Sequence, residues 1–333
     1  MPQPPRKSPQ RKPGSGQHRK PAAAPIDPEK VAAAKAAKRA EAEAAAARKA
    51  AEAERLARRK RQRVLVYGAI GLVVLVIAGL IVVKVTHKAA ADTSSGLQAA
   101  DPAVLGQVTG IPVSVLDKVG DGGIAPSFNL ASGNPPLLTK DGLPRVVYVG
   151  GLFCPYCATE RWPMIAALSR FGSFAGVQFA RSATSGETVQ NIHTFSLSGV
   201  TYTSTYLSFT PFETTDRNHK TLDSMSVTDT TLVNTYDNQP TLPSSQTSGT
   251  IPFVDLANRW VLSGASYDAN LLKGKDWAQI ASAATAGTDA LGKQLDGTAN
   301  WITASLCSLT GNKPASVCSD PTITRLEARL PVQ

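Results

Sequence analysis

Cysteine and histidine are scarce in this chain, whose 333 residues include four of each. Two cysteines, Cys154 and Cys157, have the C-x-x-C spacing of half a zinc site, and the other two cysteines do not. A structural zinc site needs a second such pair or two closely spaced histidines. The histidines of the C-terminal half, His193 and His219, lie 26 positions apart in a polar region and are typical of solvated side chains. The sequence therefore predicts no metal site, and it points to no other cofactor.

Most of the chain also lacks an excess of positive charge, although the net charge is +10. Residues 1–63 hold 18 of the 35 Lys and Arg residues and six acidic residues. The remaining 270 residues hold 17 basic and 19 acidic ones. Binding to nucleic-acid phosphates needs a cationic face, and the basic tail has no aromatic residue to stack on bases. We expect no nucleic-acid partner.

Long hydrophobic runs are absent except for one. Residues 64–83, VLVYGAIGLVVLVIAGLIVV, contain 20 uncharged residues, which as a helix span about 30 Å, the thickness of the hydrocarbon core of a bilayer. The run is longer than a signal peptide's apolar region and lies far from the N-terminus, so we predict a retained single-pass anchor. RLARRKRQR precedes it, and the positive-inside rule then places the N-terminus in the cytoplasm and the C-terminal part outside the plasma membrane.

The basic tail divides into two segments. Residues 1–28 are rich in Pro, Lys, Arg, Gln and Ser and are predicted to be disordered. Residues 29–63 consist mainly of Ala, Glu, Lys and Arg, which favour a helix. Two interpretations of this helix are compatible: a solvated helix, and attraction to anionic lipid at about 1 kcal/mol per basic residue near the surface. The basic residues next to the bilayer are Arg55, Arg58, Arg59, Lys60, Arg61 and Arg63.

The region after the apolar run alternates between predicted strands and helices. Residues 84–110 are small and polar and read as a linker, so the folded domain is expected at 111–333. The predicted elements are helices at 112–119, 157–171, 275–286 and 289–309, strands at 145–149, 176–181 and 202–209, and a hairpin at 251–263 that turns near Ala257 and Asn258. Such alternation predicts an α/β domain with a mixed sheet and flanking helices.

The segment GGLFCPYC places a cysteine pair where a strand meets a helix. By itself the pair can be redox-active, half of a metal site or a structural disulfide. A helix N-terminus offers unpaired N–H groups that stabilise a thiolate, and the thiolate is the nucleophile. Cys154 is therefore predicted to be the exposed, attacking residue and Cys157, one turn further in, the resolving one, with Pro155 suited to the first turn. Because Tyr156 adds no positive charge, we expect a potential of roughly −200 to −230 mV.

Two further features bear on this chemistry. Ile251 and Pro252 precede the predicted hairpin: Pro252 either simply starts a strand or is a cis-proline beside the cysteine pair, whose preceding residue offers backbone groups to a substrate peptide. Cys307 and Cys318 follow a predicted helix. In an oxidising compartment they are expected to form a structural disulfide, and a second redox pair is the alternative.

The strand–CPYC–helix unit, the later Ile-Pro and the hairpin–helix ending resemble the thioredoxin superfamily. Longer stretches are similar to a membrane-anchored thioredoxin-like family catalogued as domain of unknown function 929. These stretches are FCPYCATERWPMIAALSRFG, YTSTYLSFTPFE, IPFVDLANRWV and ITASLCSLTGNKPASVC. The resemblance covers roughly residues 111–320 and implies a thioredoxin-like fold with Cys154 and Cys157 at the redox position. It implies no established substrate.

Two functions follow. The first is a membrane-anchored extracytoplasmic thiol–disulfide oxidoreductase that acts on cysteine-containing proteins, with Pro155, Tyr156, Ile251 and Pro252 lining its substrate groove. A quinone-linked or thiol-linked membrane partner then recycles the pair. The second is a non-catalytic thioredoxin-like binding or scaffold protein that retains structural disulfides. Glu160 and Arg161, one turn further along the helix, either tune the pair or form a solvated face.

Overall fold

The computed structural model describes residues 96–239 and 249–332. The α-helices in these ranges are α1 (Pro102–Thr109), α2 (Val113–Val119), α3 (Pro155–Leu168), α4 (Val227–Tyr236), α5 (Trp277–Ala286), α6 (Ala290–Leu309), α7 (Ala315–Cys318) and α8 (Pro321–Glu327). The strands are β1 (Gln98–Ala99), β2 (Asn129–Leu130), β3 (Thr139–Lys140), β4 (Leu143–Gly150), β5 (Gly172–Ala175), β6 (Gln178–Arg181), β7 (His193–Ser196), β8 (Thr201–Ser204), β9 (Ser208–Glu213), β10 (Phe253–Leu256) and β11 (Trp260–Ser263).

The largest sheet is built around β4. Strand β9 pairs with β4 in parallel, and β10 pairs with it from the other side in antiparallel orientation. Strands β11 and β2 extend the sheet beyond β10, and β3 pairs with the start of β4. The predicted α/β fold with a mixed sheet and flanking helices is confirmed.

Strand β4 is buried on both faces, as its run of apolar residues suggests. Val146 and Tyr148 pack on the side of α3, in the larger hydrophobic core. Val147 and Val149 point the opposite way and pack with Tyr236 of α4. Helices on both faces thus fix the end of β4, from which the CPYC segment starts.

Helix α3 is buried on all sides except at Tyr156, which is 42% exposed. Its predicted apolar positions Trp162, Ile165 and Leu168 are fully buried, as expected. Glu160 and Arg161 are also 0% exposed, so the interpretation of these two residues as a solvated face is wrong. The physical reason is that other elements cover them: Arg161 contacts Glu213 of β9, Glu160 contacts Ser266, and α6 and β7 also pack against α3.

The structure departs from the predicted linker at residues 84–110. Within its described part, α1 forms over Pro102–Thr109, capped by Asp101, whose side chain accepts a hydrogen bond from the Ala103 N–H. Val108 is 1% exposed and belongs to the main core. The packed region therefore begins before residue 111, and Asp-Pro at a helix start was the available signal.

A second difference lies in the strand predicted at 202–209, which is divided into β8 and β9. The side chain of Ser204 accepts hydrogen bonds from the N–H groups of Tyr206 and Leu207 and thereby stabilises a turn between the two strands. The chain then enters β9, next to β4. The alternating pattern predicted extended backbone but not the turn that redirects it.

Several of the remaining described elements agree with the sequence, whereas β5, β7, α7 and α8 were not predicted. Strands β10 and β11 form the predicted hairpin, and Ala257 and Asn258 adopt φ values of 55° and 58° at its turn. Two consecutive positive φ values are typical of a tight hairpin turn. The helices predicted at 112–119, 275–286 and 289–309 are confirmed as α2, α5 and α6.

No helix within residues 96–239 and 249–332 is both long and apolar enough to cross a membrane. The apolar run at 64–83 and the tail segments at 1–28 and 29–63 lie outside the described residues. The anchor, its orientation and the lipid contacts of the tail therefore stay predictions.

Candidate active site

The CPYC segment, residues 154–157, begins at the carboxyl end of β4. Gly151 accepts a hydrogen bond from the Cys154 N–H at 3.2 Å, which turns the chain out of the strand. Cys154 is the N-cap of α3, with φ −74° and ψ 124°, and Pro155 occupies the first helical position, where a missing N–H costs nothing. The Sγ atom of Cys154 accepts a hydrogen bond from the Cys157 N–H at 3.3 Å. The predicted helix at 157–171 thus starts two residues earlier, and Cys154 lies at its N-terminus.

The two sulfur atoms differ in environment although both cysteines are unbonded. The pKa of Cys154 is lowered, first by a hydrogen bond from the Cys157 side chain and then by the Cys157 backbone N–H and the charge of Arg161. Burial raises the pKa of Cys157 well above its ordinary value, because its side chain is 0% exposed. This difference fits Cys154 as the nucleophile and Cys157 as the resolving thiol.

The segment before β10 lies against the same sulfur. The Ile251–Pro252 peptide bond is cis, as one of the two sequence interpretations expected. The Sγ atom of Cys154 lies 3.6 Å from the carbonyl oxygen of Ile251, to which it donates. Strand β10 then runs antiparallel to β4, with Phe253 opposite Val149. Sheet pairing thus brings together two segments almost one hundred residues apart in sequence.

The residues predicted to line a substrate groove differ in exposure. Tyr156 is 42% exposed, and its hydroxyl lies 3.2 Å from Oγ1 of Thr188. Ile251 is partly exposed, whereas Pro155 and Pro252 are buried. Tyr156 and Ile251 are thus the more exposed of these residues, whereas Cys154 is buried, at 5% exposure. The expected exposure of the attacking cysteine is therefore wrong, because α3 and the segment before β10 pack around its sulfur.

A polar group fixes the backbone that leads into Ile251. Ser263 Oγ lies 2.7 Å from Asp237 Oδ1 and 3.1 Å from the carbonyl oxygen of Thr250. Burial raises the pKa of Asp237 to about 6. The Ser263 hydroxyl can donate to the Asp237 carboxyl or to the Thr250 carbonyl oxygen, and its bond to Asp237 favours the ionised form of that carboxyl. The sequence analysis did not predict this contact, because its three residues lie in separate segments of the chain.

An ion pair that the sequence analysis did not predict lies beneath the cysteines. Arg161 donates two hydrogen bonds to the carboxylate of Glu213, both of 2.7 Å, and neither side chain is exposed. The Nη2 group of Arg161 also donates to the Gly151 carbonyl at 2.9 Å. Gly151 is the residue that accepts from the Cys154 N–H. One guanidinium thus joins α3, the end of β9 and the turn before Cys154.

Comparison with protein families adds one finding. Residues 130–308 match the model of a family described as a domain of unknown function, DUF929. The chain belongs to this family. The match contains the CPYC segment, Pro252 and Cys307, and it is shorter than the range 111–320 expected from the resemblance. No curated protein and no solved structure matches this DUF929 chain.

The second cysteine pair of the DUF929 chain is oxidised. Cys307 and Cys318 form a disulfide, as predicted, with their Cα atoms 5.4 Å apart. Cys307 lies in the last turn of α6 and Cys318 ends α7. Both side chains belong to the main hydrophobic core. Their burial agrees with the predicted structural role.

Metal-binding residues do not cluster in the described part of the DUF929 chain: no three His, Cys, Asp or Glu side chains of residues 96–239 and 249–332 are placed to hold an ion. Of the two histidines considered in the sequence, His193 Nδ1 lies 2.8 Å from the Lys275 carbonyl oxygen. His219 is exposed and packs on Phe153, with ring centroids 4.1 Å apart. His193 therefore contributes to packing rather than lying free in solvent.

Proposed function

We propose that this DUF929 protein is a thiol–disulfide oxidoreductase with a thioredoxin-like fold, which acts on protein cysteines through Cys154 and Cys157. One observation carries the proposal: the Cys154 sulfur caps a helix N-terminus and lies beside the Ile251 carbonyl. The helix favours a thiolate. The neighbouring backbone offers a place for an extended substrate.

The fold supports this proposal. The strand–CPYC–helix unit, the later Ile-Pro and the hairpin–helix ending are the features by which the sequence resembles the thioredoxin superfamily. In the sheet, β9, β4, β10 and β11 lie side by side in that order, and Cys154 after β4 contacts Ile251 before β10. A structural disulfide would explain two close cysteines, but not their position at a helix start beside the partly exposed Ile251.

The proposed reaction has two balanced steps. In the first, the Cys154 thiolate attacks a substrate disulfide and forms a mixed disulfide, and the released substrate thiolate takes up a proton. In the second, the Cys157 sulfur attacks the Cys154 sulfur, and the proton lost by Cys157 ends on the second substrate thiolate. Two electrons pass from the protein dithiol to the substrate disulfide. The reverse sequence inserts a disulfide into a substrate dithiol.

The proposed setting follows from the apolar run at 64–83. If it anchors the chain in the plasma membrane with the C-terminal domain outside, the substrates are extracytoplasmic proteins that contain cysteine. A dithiol-carrying or quinone-linked membrane protein then restores the working state of the pair. Anionic lipid on the cytoplasmic side is the proposed partner of the basic residues at 55–63.

Substrate trapping tests the proposal. Full-length Cys157→Ala cannot resolve a mixed disulfide, so we expect disulfide-linked adducts that disappear on reduction. The matched control is Cys154→Ser/Cys157→Ala, which should trap nothing. The unmodified chain should also catalyse reduction of a model protein disulfide when a dithiol is supplied. If Cys157→Ala forms no adducts and the unmodified chain does not catalyse exchange, the protein is a binding or scaffold protein instead.

A further inference from the structure

A buried positive charge lies one helical turn beyond the resolving cysteine. Cys157 and Arg161 are four residues apart in α3, so their side chains occupy the same face of the helix. Both are 0% exposed. A charge at this spacing acts on the sulfur through protein rather than water, where electrostatic interactions are stronger.

The hydrogen bonds of Arg161 leave part of its guanidinium unused. Its Nε and Nη2 groups donate to Glu213 and to the Gly151 carbonyl. Its Nη1 atom is buried and has no hydrogen-bond partner among the described residues. Buried polar atoms without a partner are uncommon and call for an explanation.

We propose that Arg161 is a positioning residue of the redox site, which stabilises the thiolate states of the CPYC pair by its charge and holds the turn before Cys154 by its bond to Gly151. This inference rests on the proposed function. Arg161 also supplies the positive charge that the residues between the two cysteines lack, since Tyr156 carries none. The cation comes instead from the next turn of the same helix.

The other ionisable groups that face the pair are few. Glu213 of β9 binds Arg161 directly and reduces its effect. Tyr148 of β4 lies under the guanidinium, which is 5.9 Å from its ring centroid, and its buried hydroxyl keeps its proton because burial raises its pKa well above the ordinary value. Cys154 raises the pKa of Cys157, whereas the Cys157 side chain lowers the pKa of Cys154 through its hydrogen bond. Arg161 is the charged side chain that favours the anion of both sulfurs, and Glu213 opposes it through the ion pair.

The resolving step is where this charge has its largest role. Cys157 is buried and must lose its proton to attack the mixed disulfide, and burial disfavours its anion. The guanidinium offsets that burial, and the proton passes to the departing substrate thiolate, so that charge and atoms balance. Without the cation, we expect resolution to slow and mixed disulfides to persist.

Three full-length variants separate charge from packing. Arg161→Gln/Glu213→Gln removes both charges of the buried pair, a change that folded proteins often tolerate. Arg161→Lys keeps the positive charge but loses the two parallel bonds. Glu213→Gln keeps the cation and removes the opposing anion. Arg170→Gln is the matched control, because Arg170 follows the far end of α3.

The readout is the pH dependence of Cys154 alkylation by iodoacetamide, measured in a Cys157→Ala background. We expect Arg161→Gln/Glu213→Gln to raise the midpoint by less than about one unit, because the loss of the nearby cation raises it and the loss of the more distant anion lowers it in part. Glu213→Gln should lower the alkylation midpoint. Arg161→Lys and Arg170→Gln should leave the midpoint near that of the parent. With Cys157 present, the double variant should accumulate more mixed disulfide than the parent.

Two results would overturn the inference. The first is a folded double variant whose alkylation midpoint equals that of the parent. The second, which applies even if the double variant does not fold, is a Glu213→Gln midpoint that is not lowered. Neither depends on finding a substrate, so the Arg161 inference can fail while trapping by Cys157→Ala succeeds. Conversely, absence of trapping and of exchange rejects the proposed function whatever the midpoints are.

Discussion

Helices α3 and α6 pack against each other, and their cysteines lie at opposite ends: Cys154 and Cys157 at the start of α3, and Cys307 at the end of α6. Cys154 caps the N-terminus of α3, where N–H groups point at its sulfur. Cys307 lies in the last turn of α6, where unpaired carbonyl oxygens gather, and is bonded to Cys318. The first setting stabilises a thiolate and the second does not. Position along a helix thus separates the proposed reactive pair from the structural one more clearly than cysteine spacing does.

The largest expected effect comes from removing the nucleophile. Cys154→Ser should reduce disulfide exchange to the uncatalysed background, because serine has no thiolate to attack a disulfide. The free energy of unfolding should change little, since the two cysteines of the CPYC segment are not bonded. Exchange with a model protein and urea unfolding measure the two quantities. If disulfide exchange persists in Cys154→Ser, Cys154 is not the nucleophile and the proposed difference between the reactive and the structural pair is wrong.

Removing the disulfide should lower stability and leave disulfide exchange intact, the opposite of the effects expected for Cys154→Ser. Cys307→Ala/Cys318→Ala opens a link between residues 11 positions apart, and chain entropy predicts a loss of about 3 kcal/mol in the free energy of unfolding. Exchange per folded molecule should be retained. Urea unfolding and the exchange assay at a temperature where the variant is folded test this. Loss of exchange with little loss of stability would instead identify a second redox pair.

The two helices also carry buried carboxyl groups that differ in their partners. Asp296 of α6 is 0% exposed, and neither of its oxygens has a hydrogen-bond partner among the described residues. Burial raises its pKa to about 8 from an ordinary 3.8. The folded state then holds a proton that the unfolded state releases above about pH 4, so stability falls as the pH rises from there towards 8.

Asp296→Asn removes this dependence. At pH 8 we expect the free energy of unfolding of the variant to exceed that of the unmodified protein by on the order of 2 kcal/mol. This difference should shrink towards pH 4. Urea unfolding over this range measures it, and Asp141→Asn, at an exposed aspartate, is the control. A difference that does not vary with pH would assign the effect to packing rather than to ionisation.

Much of the proposed site could be predicted from sequence because its signals are local. A β-branched strand followed by C-P-Y-C predicts Cys154 at a helix start, and the structure places it there. The Ala257–Asn258 turn and the Cys307–Cys318 disulfide likewise depend on neighbouring residues. Each of these features combines a short segment with known backbone preferences.

The parts that could not be predicted depend on contacts between distant segments. Arg161 is buried because it packs against β4 and β9, and its partner Glu213 lies 52 positions further along the chain. A charged pair on a helix is ordinarily exposed, so composition favoured the wrong interpretation. The apolar positions of α3 predict one buried face. They do not indicate that a second face of the helix is covered as well.

The smallest expected effect concerns the carboxyl group of α3 that does have partners. Glu160 accepts hydrogen bonds from the backbone N–H and the hydroxyl of Ser266, at 2.9 and 3.1 Å. Burial raises its pKa to about 7 from an ordinary 4.5, and the two bonds oppose that rise. Because the bonds favour the ionised form, Ser266→Ala should cost more above pH 7 than below it, with a difference of about 1 kcal/mol.

Urea unfolding of Ser266→Ala at pH 5.5 and 8.5 (roughly 1.5 units on either side of the Glu160 pKa) measures that difference. Glu160→Gln supplies the control, since a neutral amide cannot titrate and should make the Ser266→Ala cost equal at both pH values. If the cost stays pH-dependent in the Glu160→Gln background, another group titrates. The contrast between a partnered carboxyl in α3 and an unpartnered one in α6 then needs a different physical explanation.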